Sequence, residues 1–171
     1  IGSFAIMALI DFYKETKEKI YLDCAITAIE RYYRYDLNDF ACTAGAIDCS
    51  CVDKETAGPF VYCTCELYEI TGEKIYLEYA LKAAYYFSSW MYHYDAEYPE
   101  DSEFNRYGFY TYGSTAVSTQ HPALDSWGSF VVADFLRLWK YTGDERWKKR
   151  AQILWCSCIL CITTDTEKVI R

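Results

Sequence analysis

The chain has 171 residues, of which 52% are hydrophobic and 19% aromatic, enough for one domain with a sizeable core and too many for a disordered chain. Seventeen Lys and Arg against 25 Asp and Glu leave a net charge of −8, and the longest basic run is Lys148-Lys149-Arg150, so nucleic acid and anionic membrane surfaces are not expected as partners. No stretch approaches the roughly 18 uninterrupted apolar residues of a membrane span, and no signal-peptide pattern is present.

In chain order, periodicity predicts a helix over about 3–15 and a second over about 18–35. A connection over 36–59 follows, with a short helical possibility around 39–47. A third helix covers about 60–70 and a fourth about 73–92. The segment 94–125 has no period and contains Gly108, Gly113, Pro99 and Pro122. A fifth helix covers about 126–141, with Asp125 or Ser126 as its expected N-cap, and a sixth about 145–162. A start at Ile1 inside an apolar run leads to the expectation that the chain is an excised piece of a longer protein.

These helices come as three copies of one unit. Between Phe12–Ala28 and Leu67–Ala83, nine of seventeen positions are identical, and Leu138–Lys148 repeats the turn a third time. In the middle copy, Gly72 suits the left-handed residue that ends a helix, and Glu73 suits the positive start of the next. Tyr76, Ala80, Ala83, Ala84 and Phe87 then share one helix face, as do Tyr21, Ala25, Ala28, Ile29 and Tyr32, and Trp147, Ala151, Leu154, Trp155 and Cys158. The helices before each turn are apolar nearly all round, which predicts burial on more than one side. Each unit is therefore a buried helix, a tight turn and an amphipathic outer helix, in an all-α chain of about three hairpins (3–35, 60–92 and 126–162).

Nine cysteines, an odd number with several in predicted helices, argue against a disulfide framework and for a reducing, cytoplasmic setting. Cys63 and Cys65 point about 200° apart on a helix, as do Cys156 and Cys158, so neither pair chelates one ion. Only Cys42, Cys49 and Cys51 fall where a metal site is geometrically open, and neither metal nor other cofactor is expected.

The turns at Lys17, Gly72 and Gly143 all fall at one end of an up-and-down array and are short. The connections 36–59 and 94–125 fall at the other end and are long, which is where function is expected. With hairpins at spacings of 55 and 71 residues and the Tyr68-x-x-Thr71-Gly72-Glu73-x-x-Tyr76 turn, the chain resembles the six-hairpin glycosidase superfamily. The resemblance implies an (α/α)6 toroid of which this chain is about half, a carbohydrate substrate, and a cleft at the long-loop end. The segment Val117–Gly128, with Gln120, His121 and Trp127, looks like the cleft-entering loops of that group.

Glycoside hydrolysis uses two carboxyl groups across the scissile bond. Acids expected at the open end are Asp48, Asp53, Asp95, Glu97, Asp101, Glu103 and Asp125, with Asp125 and Asp95 the preferred pair and His121 a proton shuttle or hydroxyl ligand. Asp95 follows Trp90-Met91-Tyr92-His93-Tyr94, an aromatic setting able to raise a carboxyl pKa. Tyr107, Phe109, Tyr110, Tyr112, Trp127 and Gln120 are the expected sugar contacts, since aromatic faces suit the C–H faces of sugars. Glu66, an acid inside an apolar helix, either bonds inside the ring or pairs with a partner. The alternative to an enzyme is a non-catalytic carbohydrate-binding or helical scaffold domain. Apolar inner-helix surface at 1–10 and 156–162 predicts self-association or contact with the remainder of a parent chain.

Overall fold

The computed structural model describes residues 2–46, 49–120 and 123–160. Asp48, His121, Cys161 and the end of the sixth predicted helix lie outside the described residues, as does the side chain of Cys49. Three helical hairpins are present: α1 (Gly2–Thr16) with α2 (Lys19–Tyr32), α3 (Ala57–Thr71) with α4 (Lys74–Ser88), and α6 (Val132–Thr142) with α7 (Glu145–Ile159). Between them lie α5 (Glu103–Arg106) and two short antiparallel pairs, β1 (Thr43–Ala46) with β2 (Cys49–Val52) and β3 (Thr115–Ala116) with β4 (Leu124–Asp125). The inner helices α1, α3 and α6 pack side by side, α3 in the middle, and α2, α4 and α7 form the outer layer.

The three corners repeat one set of hydrogen bonds. Thr16, Thr71 and Thr142 each donate Oγ1 to the carbonyl four residues back at 2.7 Å. Each hydroxyl then accepts the N–H two residues on, from Glu18, Glu73 and Asp144, at 3.2 Å. The residue between is left-handed in every case: Gly72 at φ 73°, Gly143 at 69° and Lys17 at 60°. Glycine takes that conformation without a Cβ penalty; Lys17 does not.

The predicted outer stripe is buried in α4 from Tyr76 to Phe87. In α7 it holds at Trp147, Ala151, Leu154 and Cys158, whereas Trp155 turns outward at 52% exposure. Burial all round is realised only in α3, which has an inner helix on each side. α1 buries Ser3, Ile6 and Ile10 along one stripe, because α3 is the single inner neighbour it meets here.

Four boundaries differ from the sequence expectation. The helix expected at 39–47 is instead the β1–β2 hairpin, in register Thr43↔Val52; its small residues carry no helical apolar stripe. A π turn at Tyr33–Leu37 prolongs the second helix. α4 stops at Ser88 rather than 92, because the next backbone groups bond elsewhere: Trp90 accepts from Ala116, and Tyr92 exchanges bonds with Ser114 and Gly113. The fifth helix opens as a 3-10 turn (Trp127–Val131) with Ser126, not Asp125, at the N-cap position and no side-chain cap bond.

The two long connections meet on one rim. Asp53 bridges Ser118, the Thr119 N–H bonds the Val52 carbonyl at 3.0 Å, and Tyr86 on α4 donates to the Asp53 carbonyl at 2.7 Å.

Candidate functional site

On that rim, over the N-terminal ends of α1, α3 and α6, lies a cavity of about 170 Å³ lined by Phe4, Lys54, Glu55, Tyr62, Trp127, Phe130 and Asp134, among others. The turn Lys54–Ala57 leads into α3, with the Ala57 N–H on the Lys54 carbonyl at 2.9 Å. Pro59 follows in the first helical turn, where its missing N–H is no loss. Gly58 lets α3 approach the 3-10 turn before α6: a Cβ there would sit 3.2 Å from Val131 Cγ2. Glu55 and Asp134 thus reach the cavity from the positive ends of two inner helices.

Asp134 is 4% exposed, and its Oδ1 accepts from Arg137 Nη1 at 3.1 Å. Burial pushes its carboxyl up to about 6 against the pull of Arg137, with Glu66 and Glu69 adding to the rise. A carboxyl in that range can exchange a proton near neutral pH. Asp53 is also pushed up to about 6, chiefly by burial. Its Oδ1 accepts the Glu55 N–H at 3.0 Å, which makes it a brace for the turn carrying Glu55.

Asp125 is bound on both oxygens. Oδ2 takes the Lys54 ammonium at 2.6 Å and Oδ1 the Thr115 hydroxyl at 2.9 Å. Lys54 is 1% exposed, so the pair joins the two long connections from a largely buried position. Asp95 is exposed in the loop after α4 and accepts the Tyr112 N–H at 2.7 Å. Through Lys54, Asp125 belongs to the inner cavity. Asp95 belongs with Tyr112 to the outer side, so the two do not line one pocket.

The expected sugar contacts divide in the same way. Trp127 is 57% exposed, lines the inner cavity and meets Phe130 edge-on with ring centres 5.9 Å apart. Phe109 packs in a knot with Tyr98 and Phe104. Tyr107 is half exposed on the same loop, and Tyr110 is partly buried, which raises its hydroxyl pKa. Tyr112 lines the outer groove, and Gln120 is exposed beside Thr119 on the rim. His121 lies outside the described residues.

Glu66 bonds inside the ring. It takes Lys14 at 2.9 Å and Arg137 at 3.0 Å, tying α1, α3 and α6 together. Arg137 also meets Glu69 at 3.1 Å, and Tyr141 donates to Glu69. Asp134 is absent from the sequence expectation although, like Glu66, it is an acid within an apolar run, and in 130–139 it is the one acid. Glu55, in a mixed loop, carries no such mark.

No protein-family model matches the sequence, and no curated protein does so either. Solved structures do match in fold. An α-mannanase of glycoside hydrolase family 76, BT2949 from Bacteroides thetaiotaomicron, superposes with a TM-score of 0.66 at 17% identity over 92% of this chain. The family 76 mannosidase Bt3792 of the same organism gives 0.58 at 18% over 93%. The Lin0763 protein of Listeria innocua gives 0.56 at 18% over 87%. This chain spans 43% of the length of each of the first two and 40% of the third. The chain shares its fold with these structures, an α/α toroid of which it supplies about three hairpins.

Proposed function

We propose that the chain forms part of a glycoside hydrolase whose substrate cleft includes the cavity over α1, α3 and α6, with Glu55 and Asp134 as its carboxyl groups. The observation that carries this reading is the raised, buried carboxyl of Asp134 in a cavity shared with Glu55, Trp127 and Phe130. One carboxyl protonates the leaving oxygen and the other activates water or attacks the sugar. In this reading Asp125 positions Lys54, and Trp127 and Phe130 offer stacking faces. α-Linked mannose polymers are the first substrates to assay, since structural neighbours bear the names α-mannanase and mannosidase.

The test is turnover by the complete protein carrying Glu55→Gln, Asp134→Asn or Asp125→Asn. Loss of about 100-fold or more in the first two supports the assignment. Unchanged turnover in both removes them from the mechanism, and loss in Asp125→Asn alone returns the role to Asp125. A non-catalytic carbohydrate-binding role has one observation in its favour, the engagement of both Asp125 oxygens. Glycan binding without hydrolysis on long incubation selects it.

A further inference from the structure

A larger hollow, about 410 Å³, lies between the outer helices α4 and α7 and has no part in the cleft. Tyr85 of α4 packs on Trp147 of α7 with ring centres 4.9 Å apart. Both helices belong to neighbouring hairpins of this chain, so the walls of the groove are supplied entirely from within it. Arg146, Lys149 and Arg150 line it from one face of α7, opposite Tyr85, with His93 and Tyr112 at the loop end.

On a chain of net charge −8 this concentration of cations is out of proportion, and most of it is not neutralised locally. Asp144 engages Arg146 at 2.7 Å. Lys149 is exposed and has no ion-pair partner among the described residues. Arg150 lies over Trp147 and Tyr85, 5.0 and 5.8 Å from the ring centres, and its Nη1 is buried without a hydrogen-bond partner among the described residues. A buried donor left without an acceptor is uncommon in a folded protein. The other nearby acid, Asp95, has its Oδ1 on the Tyr112 N–H.

We propose that this groove binds the anionic group of an acidic saccharide, a uronate carboxylate or a sugar phosphate, with Lys149 and Arg150 holding the anion and Tyr85 and Tyr112 flanking the ring. The volume is that of a small-molecule site, more than a bare inorganic anion fills. A guanidinium is planar and can give two parallel bonds to a carboxylate or phosphate, and the two rings beside Arg150 restrict where its group can go. The site is separate from the cleft and does not depend on hydrolysis.

The test is calorimetric titration of the protein containing this chain with glucuronate, mannose 6-phosphate, mannose and inorganic phosphate, at low and high salt. At least one acidic sugar binds saturably, and mannose binds about tenfold more weakly or not at all. Lys149→Gln and Arg150→Lys each weaken the acidic sugar by about five- to tenfold. Lys149→Gln leaves turnover of a neutral glycoside unchanged, so this outcome is separable from that of the cleft variants. Four results overturn the proposal: no saturable binding of either acidic sugar, mannose binding as tightly, inorganic phosphate binding as tightly as the better sugar, or Lys149→Gln binding like the parent.

Discussion

Asp134→Asn is expected to make the protein more stable at neutral pH, and by an amount that depends on pH. The carboxyl is 4% exposed and lies at about 6, against an ordinary value of 3.8. The folded state therefore holds its proton more tightly than the unfolded chain does. Between those two values the unfolded state has released the proton while the folded state keeps it, so stability falls as pH rises through the window and levels off above it. A rise of this size corresponds to about 3 kcal/mol at neutral pH. Asparagine keeps the shape and can still accept from Arg137, but it has no charge to bury. The variant should match the parent near about pH 4 and exceed it by up to about 3 kcal/mol above about pH 6. That is up to about 10 °C in melting temperature for a domain of this size. Asp53 titrates over the same range in both proteins, so it cancels in the difference. Denaturant unfolding of parent and variant across that pH range reads the difference directly. A gap that does not change with pH, or a variant less stable at neutral pH, refutes the account of Asp134 as a carboxyl ionised at a cost.

At the corners, Lys17→Gly relieves a left-handed lysine and should stabilise by about 0.5–1 kcal/mol after the greater unfolded-state freedom of glycine is allowed for, while Gly72→Ala and Gly143→Ala each cost about 1 kcal/mol or more; thermal melts in which Lys17→Gly is the least stable of the three contradict the equivalence of the corners. Lys54→Met leaves the Asp125 carboxylate facing only Thr115 and should cost about 3 kcal/mol. Combining it with Asp125→Asn should cost at least about 1 kcal/mol less than the two changes summed, and a double-mutant cycle showing no coupling would rule out the pair as a unit. Phe12 on α1 is 55% exposed, and Phe4 and Phe130 at the cavity are 46% and 72% exposed, so the isolated chain should self-associate, with light scattering showing mass that rises with concentration.

What the sequence makes legible here follows the range of the interactions involved. The corners depend on residues within four positions of one another, as in Thr71 with Leu67 and Glu73, and local repetition exposes them. Helix faces are equally local, and the parity of short and long connections then fixes which end carries the loops. The end of α4 and the alternative of Asp125 as a cap are misjudged because partners far along the chain decide them: the Ala116 N–H bonds the Trp90 carbonyl, and Lys54 holds the Asp125 side chain. The cavity acids fail for the same reason. Asp134 acts through burial between helices contributed by three hairpins, and Glu55 is placed by a turn whose brace, Asp53, is bridged to Ser118.

The inner ring carries its charge unevenly from one end to the other, and that gradient bears on where chemistry can occur. Toward the sealed end Glu66 and Glu69 share Lys14, Arg137 and the Tyr141 hydroxyl. Arg137 is the cation Asp134 pairs with, and the same guanidinium already serves those two carboxylates. Asp134 therefore receives a share of one charge while feeling the repulsion of two neighbours. Full pairing would fix it as a buried anion, and an apolar residue would pack the position without an ionisation cost. A partly compensated carboxyl is the arrangement of the three that can take up and release a proton near neutral pH. It stands at the open end, where the cavity and the long connections are, and the satisfied part of the network holds it there from below.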